Sequence, residues 1–226
     1  MSTIKRWHKW LAAAVGLQLI VWLSSGLYLS LMNKDLASGR LHYDYSEPTV
    51  IDSTSLINIK KLWAKNAPVV EVELVHRLGA PYYLLTYEKG LYRHFLHKYQ
   101  LVNAKTGDFT IVNQALAEAI AKHSYTGEGQ ISEIELLGGN VADFPKERNP
   151  LWRVEFDDDV NTRVYVEADS GRLIGHSNSH KRLADLMLML HFMDYTRTGS
   201  FNNWQMLVFA LATLLLMVTG YSRLRR

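Results

Sequence analysis

Residues 150–175 read PLWRVEFDDDVNTRVYVEADSGRLIG. Trp152, Val154 and Phe156 alternate with Arg153, Glu155 and Asp157, and the pattern resumes after the turn at Arg163–Glu167. A period of two marks a half-buried strand. The acids Asp157, Asp158 and Asp159 fall between the two runs, where a run of like charges reads as a solvated hairpin loop. Asp-Ser-Gly then sets Gly171 in a second turn. The stretch predicts an antiparallel sheet.

Working outward, the same order occurs twice. Ahead of this hairpin lie a helical run, IVNQALAEAIAKH, and a strand run, QISEIELLGG. An earlier copy starts with IDSTSLINIKKLWAKN, where Ser53 or Thr54 can cap and Leu56, Ile59, Leu62 and Trp63 recur at helical spacing. It continues through VVEVELVH, PYYLLTYEKG and RHFLHKYQLVN and closes on AKTGDF, with Gly107 in the turn. Two copies of about 60 residues predict a duplicated small α+β unit, at about 50–110 and 111–176, within a domain spanning 33–180. Trp63, Leu136, Trp152 and Val154 are its expected core residues.

The ends differ in chemistry. Trp10 to Met32 is uncharged for 23 residues, and Trp204 to Tyr221 for 18. At about 1.5 Å per residue these runs suit a hydrocarbon layer of about 30 Å, and predict transmembrane helices at 10–32 and 204–221. Trp7, Trp10, Tyr28, Trp204 and Tyr221 sit where interfacial aromatics belong. Lys5, Arg6 and Lys9 precede the first run, and Arg223, Arg225 and Arg226 follow the second, with no acid in either tail. The tails 1–9 and 222–226 are therefore expected in the cytoplasm, with the central domain on the periplasmic side. Outside the tails 19 of the 25 basic residues face 22 acidic ones, so the basic balance signals topology and no nucleic-acid partner.

The chain has no cysteine, which excludes disulfides, thiolate metal sites, iron–sulfur ligation and covalent haem attachment. It has no G-x-S-x-G, H-E-x-x-H or G-x-G-x-x-G motif that would announce a hydrolase or a dinucleotide site.

The hairpin and Asp-Ser-Gly turn, followed by HKRLADLMLMLHFMDY and a span ending LMVTGYSRLRR, resemble the PepSY-associated transmembrane protein family. The N-terminal RWHKWLAAAVGLQLIVWLSSGLYL, with a His beside Trp and a helix ending in a Ser-Gly step, is similar to that family as well. The resemblance covers nearly the whole chain. It implies a bacterial inner-membrane protein related to haem-binding siderophore and iron reductases, with two PepSY-like helix-plus-antiparallel-sheet units outside the cytoplasm. Four-span relatives are longer; a two-span chain resembles the compact members that accompany reductase modules.

Among nine histidines, most have plain explanations. His94 and His97, three apart on an expected strand, would face opposite sides. His42, His76 and His123 sit in polar surroundings and read as solvated. His176 and His180 fall in GHSNSH, which reads as a loop. His8 flanks the first span, and His191 ends the apolar run LMLMLH within an expected juxtamembrane helix at 181–197. An imidazole in so apolar a setting needs a partner, and neutral imidazole is the usual axial ligand of b-type haem. The resemblance implies that His8 and His191 each bind haem b, at opposite faces of the membrane. They cannot share one iron, so a homodimer or another membrane subunit must supply the second ligands. Met187, Met189 and Met193 read as adaptable packing, with a His/Met copper site as a lesser alternative. Two functions follow as expectations. One is a haem-dependent electron-transfer or accessory subunit of a membrane reductase acting on iron, a siderophore or a similar acceptor. The other is a non-redox, membrane-anchored binding or protease-regulating module.

Overall fold

A computed structural model describes residues 3–44, 55–60, 68–196 and 203–224. The fold is α+β and divides into two compact units, residues 35–181 and residues 1–34 with 182–226.

The α+β unit holds two four-stranded antiparallel sheets, each a simple meander. The first runs β1 (Glu71–Arg77), β2 (Ala80–Glu88), β3 (Lys98–Asn103) and β4 (Phe109–Thr110); the second runs β5 (Gln130–Leu137), β6 (Leu151–Asp157), β7 (Arg163–Glu167) and β8 (Leu173–Ser177). Each sheet thus has a fourth strand beyond the three that alternation predicts. β4 and β8 are short and follow a glycine turn, so the sequence gives them little periodicity to reveal. The repeat shows in the turns. Gly107 and Gly171 both adopt positive φ, their N–H groups donate to Asn103 and Glu167 carbonyls, and Ala104 and Ala168 donate to Pro81 and Pro150. Only glycine enters that backbone region without a steric cost.

Helix Gln114–Ser124 is capped by Asn113, whose side chain accepts from the Leu116 N–H. Ala117, Ile120 and Ala121 form its buried stripe. They share one core with Leu84 and Leu101 of the first sheet and Val154, Phe156, Val164 and Val166 of the second. The helix is therefore a layer common to both sheets. Tyr83, Leu85 and Val102, on the other face of the first sheet, pack with Leu56 and Ile57. The other face of the second sheet carries charge: Arg153 reaches Glu133, Glu135 and Glu155, and Arg163 reaches Glu155.

Several expectations need correction. Leu136 is 52% exposed because its strand, β5, lies at the edge of its sheet; Val154 is fully buried and Trp152 half-buried, donating its indole N–H to the Val112 carbonyl. Trp63 lies outside the described residues, as does most of the helix expected over 51–66. His94 and His97 are not on a strand, since β3 starts at Lys98. His97 is buried by stacking on Tyr99 and bonding to the Tyr92 carbonyl. The GHSNSH segment is no loop: His176 is on β8, and His180 lies in the first turn of the following helix.

The helical unit consists of α1 (Thr3–Leu31), most of helix Ser179–His191, and helix Trp204–Leu224. With the four-residue helix α2 (Lys34–Ala37), the three later helices are numbered α3 (Gln114–Ser124), α4 (Ser179–His191) and α5 (Trp204–Leu224). Lys5–Leu31 and Trp204–Ser222 are long and apolar enough to cross a membrane. Their outward surface is apolar, with Leu17, Leu23, Leu207 and Leu214 all more than half exposed. Hydroxyls on these helices are satisfied locally: Ser25 donates to the Val21 carbonyl and Thr219 to that of Leu215.

α4 stops at His191, short of the 181–197 extent expected. Met193 takes positive φ; its N–H donates to the Leu190 carbonyl and that of Asp194 to the Met189 carbonyl. These two bonds are the Schellman termination, here with methionine at the position glycine usually fills. His191 is thereby the final helical residue.

Candidate functional site

His8 and His191 both lie in the helical unit, and each meets the same pair of residue types on another helix. His191 Nδ1 is 3.1 Å from the Trp22 carbonyl and 3.4 Å from Ser25 Oγ, both on α1. A carbonyl only accepts, so Nδ1 carries the proton. The Ser25 hydroxyl already donates to Val21 and can share in accepting it. Beside it is Gly26, where a Cβ would come within 2.9 Å of His191 Cε1. Trp22 stacks on the imidazole with ring centroids 5.1 Å apart, and Phe192 meets it edge-on.

His8 repeats the arrangement. Its Nδ1 is 2.8 Å from Thr219 Oγ1 on α5. That hydroxyl also lies 2.8 Å from the Leu215 carbonyl; donating there, it is free to accept from Nδ1–H. Gly220 follows, with His8 Cε1 3.8 Å from its would-be Cβ. Both sites set Nδ1 beside the hydroxyl of a hydroxyl–glycine step; only at Gly26 does the missing side chain make room for the ring, since the 3.8 Å at Gly220 is ordinary contact. Among the described residues neither Nε2 has a hydrogen-bond partner, and at His191 the carbonyl bond leaves Nε2 unprotonated. Holding Nδ1–H on an oxygen fixes the tautomer and raises the basicity of the other nitrogen, as it does for metal-bound histidine.

The sites are well separated. Seventeen residues of one helix part His8 from Ser25, about 26 Å at 1.5 Å per residue. Between them α1 and α5 leave an apolar cavity of about 280 Å³, lined by Leu11, Val15, Trp204, Val208 and Phe209, with Gln18 and Gln205 at its polar end. The Tyr195 hydroxyl donates to Gln18 Oε1 at 3.0 Å.

A second cavity, about 270 Å³, opens in the α+β unit beside β1 and α3. Arg77, Arg93, Arg172, Tyr99, Glu73 and Glu167 contribute its polar lining. Arg172 is neutralised by Glu147 and Glu167. Arg77 instead donates to the Ser170 and His76 carbonyls, and burial lowers its pKa against the pull of Glu167 and Glu73. Burial also pushes the Tyr99 phenol up to about 12. His123 is exposed, as expected, and His76 half-buried; both border this cavity. His42, expected likewise, has only 23% of its side chain exposed and faces Asp158 and Asp159.

The sequence singles out His8 and His191 but not Trp22 or Thr219, because such partners are set by helix pairing. The hydroxyl–glycine steps Ser25-Gly26 and Thr219-Gly220 are the one signal that could have found them. No family model, curated protein or solved structure matches the chain.

Proposed function

We propose that the chain is a b-haem electron-transfer component or accessory subunit of a membrane reductase, set in a bacterial inner membrane with both tails cytoplasmic and the α+β unit periplasmic. The observation that carries this is the pair of matched imidazoles, each with Nδ1 tied to an oxygen and Nε2 unpartnered. Haem b, when bound, supplies reversible one-electron transfer. The residues present fit such a group: His8 and His191 would be its axial ligands, Trp22 and Thr219 orient them, and no cysteine competes. The two imidazoles sit about 26 Å apart, so the second ligand at each level comes from a second copy of the chain or another membrane subunit. Two such levels on one helix pair place electron-carrying groups near both faces of a bilayer, which suits delivery to a ferric chelate or similar acceptor outside the cytoplasm.

The test is an absorption spectrum of the protein purified in mild detergent, co-expressed with haem supply. A reduced b-type spectrum is expected, weakened in His191→Ala and, separately, in His8→Ala, with each substitution sparing the other site. Gly26→Val should mimic His191→Ala, because its side chain would displace the imidazole. A colourless protein would sink the redox reading. The cavity at Arg77 then favours the other one, a membrane-anchored binding module that takes its ligand on the α+β unit.

A further inference from the structure

The β6–β7 turn holds a second group of ligand-type side chains, remote in sequence from His8 and His191. Asp158 is the centre of this turn. Its Oδ1 accepts from the Val160 and Thr162 N–H groups at 3.2 and 2.9 Å, and its Oδ2 accepts from the Tyr125 hydroxyl at 2.8 Å. The side chain is 5% exposed. Burial opposes its charge, yet the bonds from Thr162, Tyr125 and Val160 hold the carboxyl below the usual aspartate value. No lysine or arginine pairs with Asp158 or Asp159 among the described residues.

What faces these carboxylates is His42. Its Nε2 lies 3.9 Å from Asp158 Oδ2 and 3.7 Å from Asp159 Oδ1. That nitrogen is fully enclosed and makes no hydrogen bond. The imidazole is not free to search elsewhere. Its main-chain carbonyl accepts from Thr126, Asp44 N–H donates to Ser124, and the Tyr125 ring packs edge-on to it. A buried nitrogen lone pair and the one remaining lone pair of a buried carboxylate thus converge on the same small space.

We propose that His42, Asp158 and Asp159 bind a first-row divalent cation. The three ligand atoms lie within 4.8 Å of one another. With the two His42 separations above, one point lies within about 2.5 Å of all three, against roughly 2.0–2.2 Å for zinc bonds to nitrogen and oxygen. The difference is closed by Asp159, whose side chain is 81% exposed and able to swing inward. A cation there gives the His42 nitrogen a partner and offsets two carboxylates that no lysine or arginine pairs with among the described residues. Tyr125, Val160 and Thr162 orient the fixed carboxylate, the role that outer hydrogen bonds play around metal ligands. An imidazole ligand favours zinc, copper, iron or nickel over calcium and magnesium, which take oxygen, while the two carboxylates also suit manganese. Three protein ligands leave a position for water. The site ties residues 42–44 to the β6–β7 turn, and it does not depend on haem.

The test is calorimetric titration of the untagged full-length protein in detergent, stripped with EDTA, using zinc chloride. Manganese binding followed by electron paramagnetic resonance gives an independent spectrum. One equivalent should bind, and a hundredfold excess of calcium should not displace it. His42→Ala and Asp159→Asn should each weaken binding by at least about tenfold, while a His8→Ala/His191→Ala double variant keeps it. Asp159 is exposed, so Asp159→Asn reads the site even if His42→Ala disturbs the fold. Equal affinity in wild type and Asp159→Asn, or no saturable binding below millimolar zinc, would overturn the proposal and leave His42 as an ion-pair partner of the turn.

Discussion

Two pairs of histidines, one pair in each unit, are used in opposite ways. In the helical unit, His8 and His191 commit Nδ1 to a neighbouring oxygen and leave Nε2 open. In the α+β unit, His97 and His176 commit Nε2, to the Tyr92 carbonyl and to Ser124 Oγ, and are themselves 6% and 3% exposed. The difference follows from what surrounds them. The α+β unit closes its own core, with Leu101, Val102, Val154, Val164 and Val166 all at 0% exposure, and the imidazoles of His97 and His176 are enclosed in it, each with Nε2 bonded and Nδ1 buried without a partner. The helix pair buries little of itself, so its imidazoles lie at the edge of the packing.

The sharpest way to break this contrast is to truncate a buried side chain in one unit and an exposed one in the other. Leu101→Ala should destabilise the α+β unit by about 2–5 kcal/mol, read as lost amide-exchange protection in β3 and β7. Leu214→Ala, on the exposed face of α5, should leave that protection unchanged. Equal losses would mean that the two units do not fold as separate bodies.

The second test is pH. Burial pushes the His176 imidazole down to about 4, with His42 nearby adding to the effect, against about 6.5 in an unfolded chain. The unfolded state therefore binds the extra proton between those values. The stability from neutral His176 is fully present above about pH 6.5, declines as pH falls, and is lost below about pH 4, a change on the order of 3 kcal/mol. His176→Phe should flatten amide-exchange stability across that window. An unchanged slope would show that His176 does not titrate with folding.

The smallest effect is expected at Leu136. Exposed on edge strand β5, Leu136→Ser should change stability by less than about 0.5 kcal/mol. A loss of several kcal/mol would show that something covers this edge.

Much of this was legible in the residues. Alternation in Pro150–Gly175 announces β6 and β7, the two glycine turns announce the repeat, and uncharged runs announce α1 and α5, because period and length are local properties of a chain. His8 and His191 stand out for the same reason, being ionisable groups beside long apolar runs. Tertiary structure alone decided the rest. Leu136 has the right period for a core residue, yet strand order puts it at an edge. His94 and His97 have strand-like neighbours, yet Asn149 bonds both the N–H and the carbonyl of His97 and holds it ahead of β3. His42 looks solvated until the chain folds back and sets it against Asp158, 116 residues later in the sequence. The sequence determined most of the helices and strands and the two long apolar runs, since hydrogen bonding and hydrophobic period act between near neighbours. Only the tertiary fold decided which lone pairs are left without a partner, because that depends on groups brought together across the whole chain.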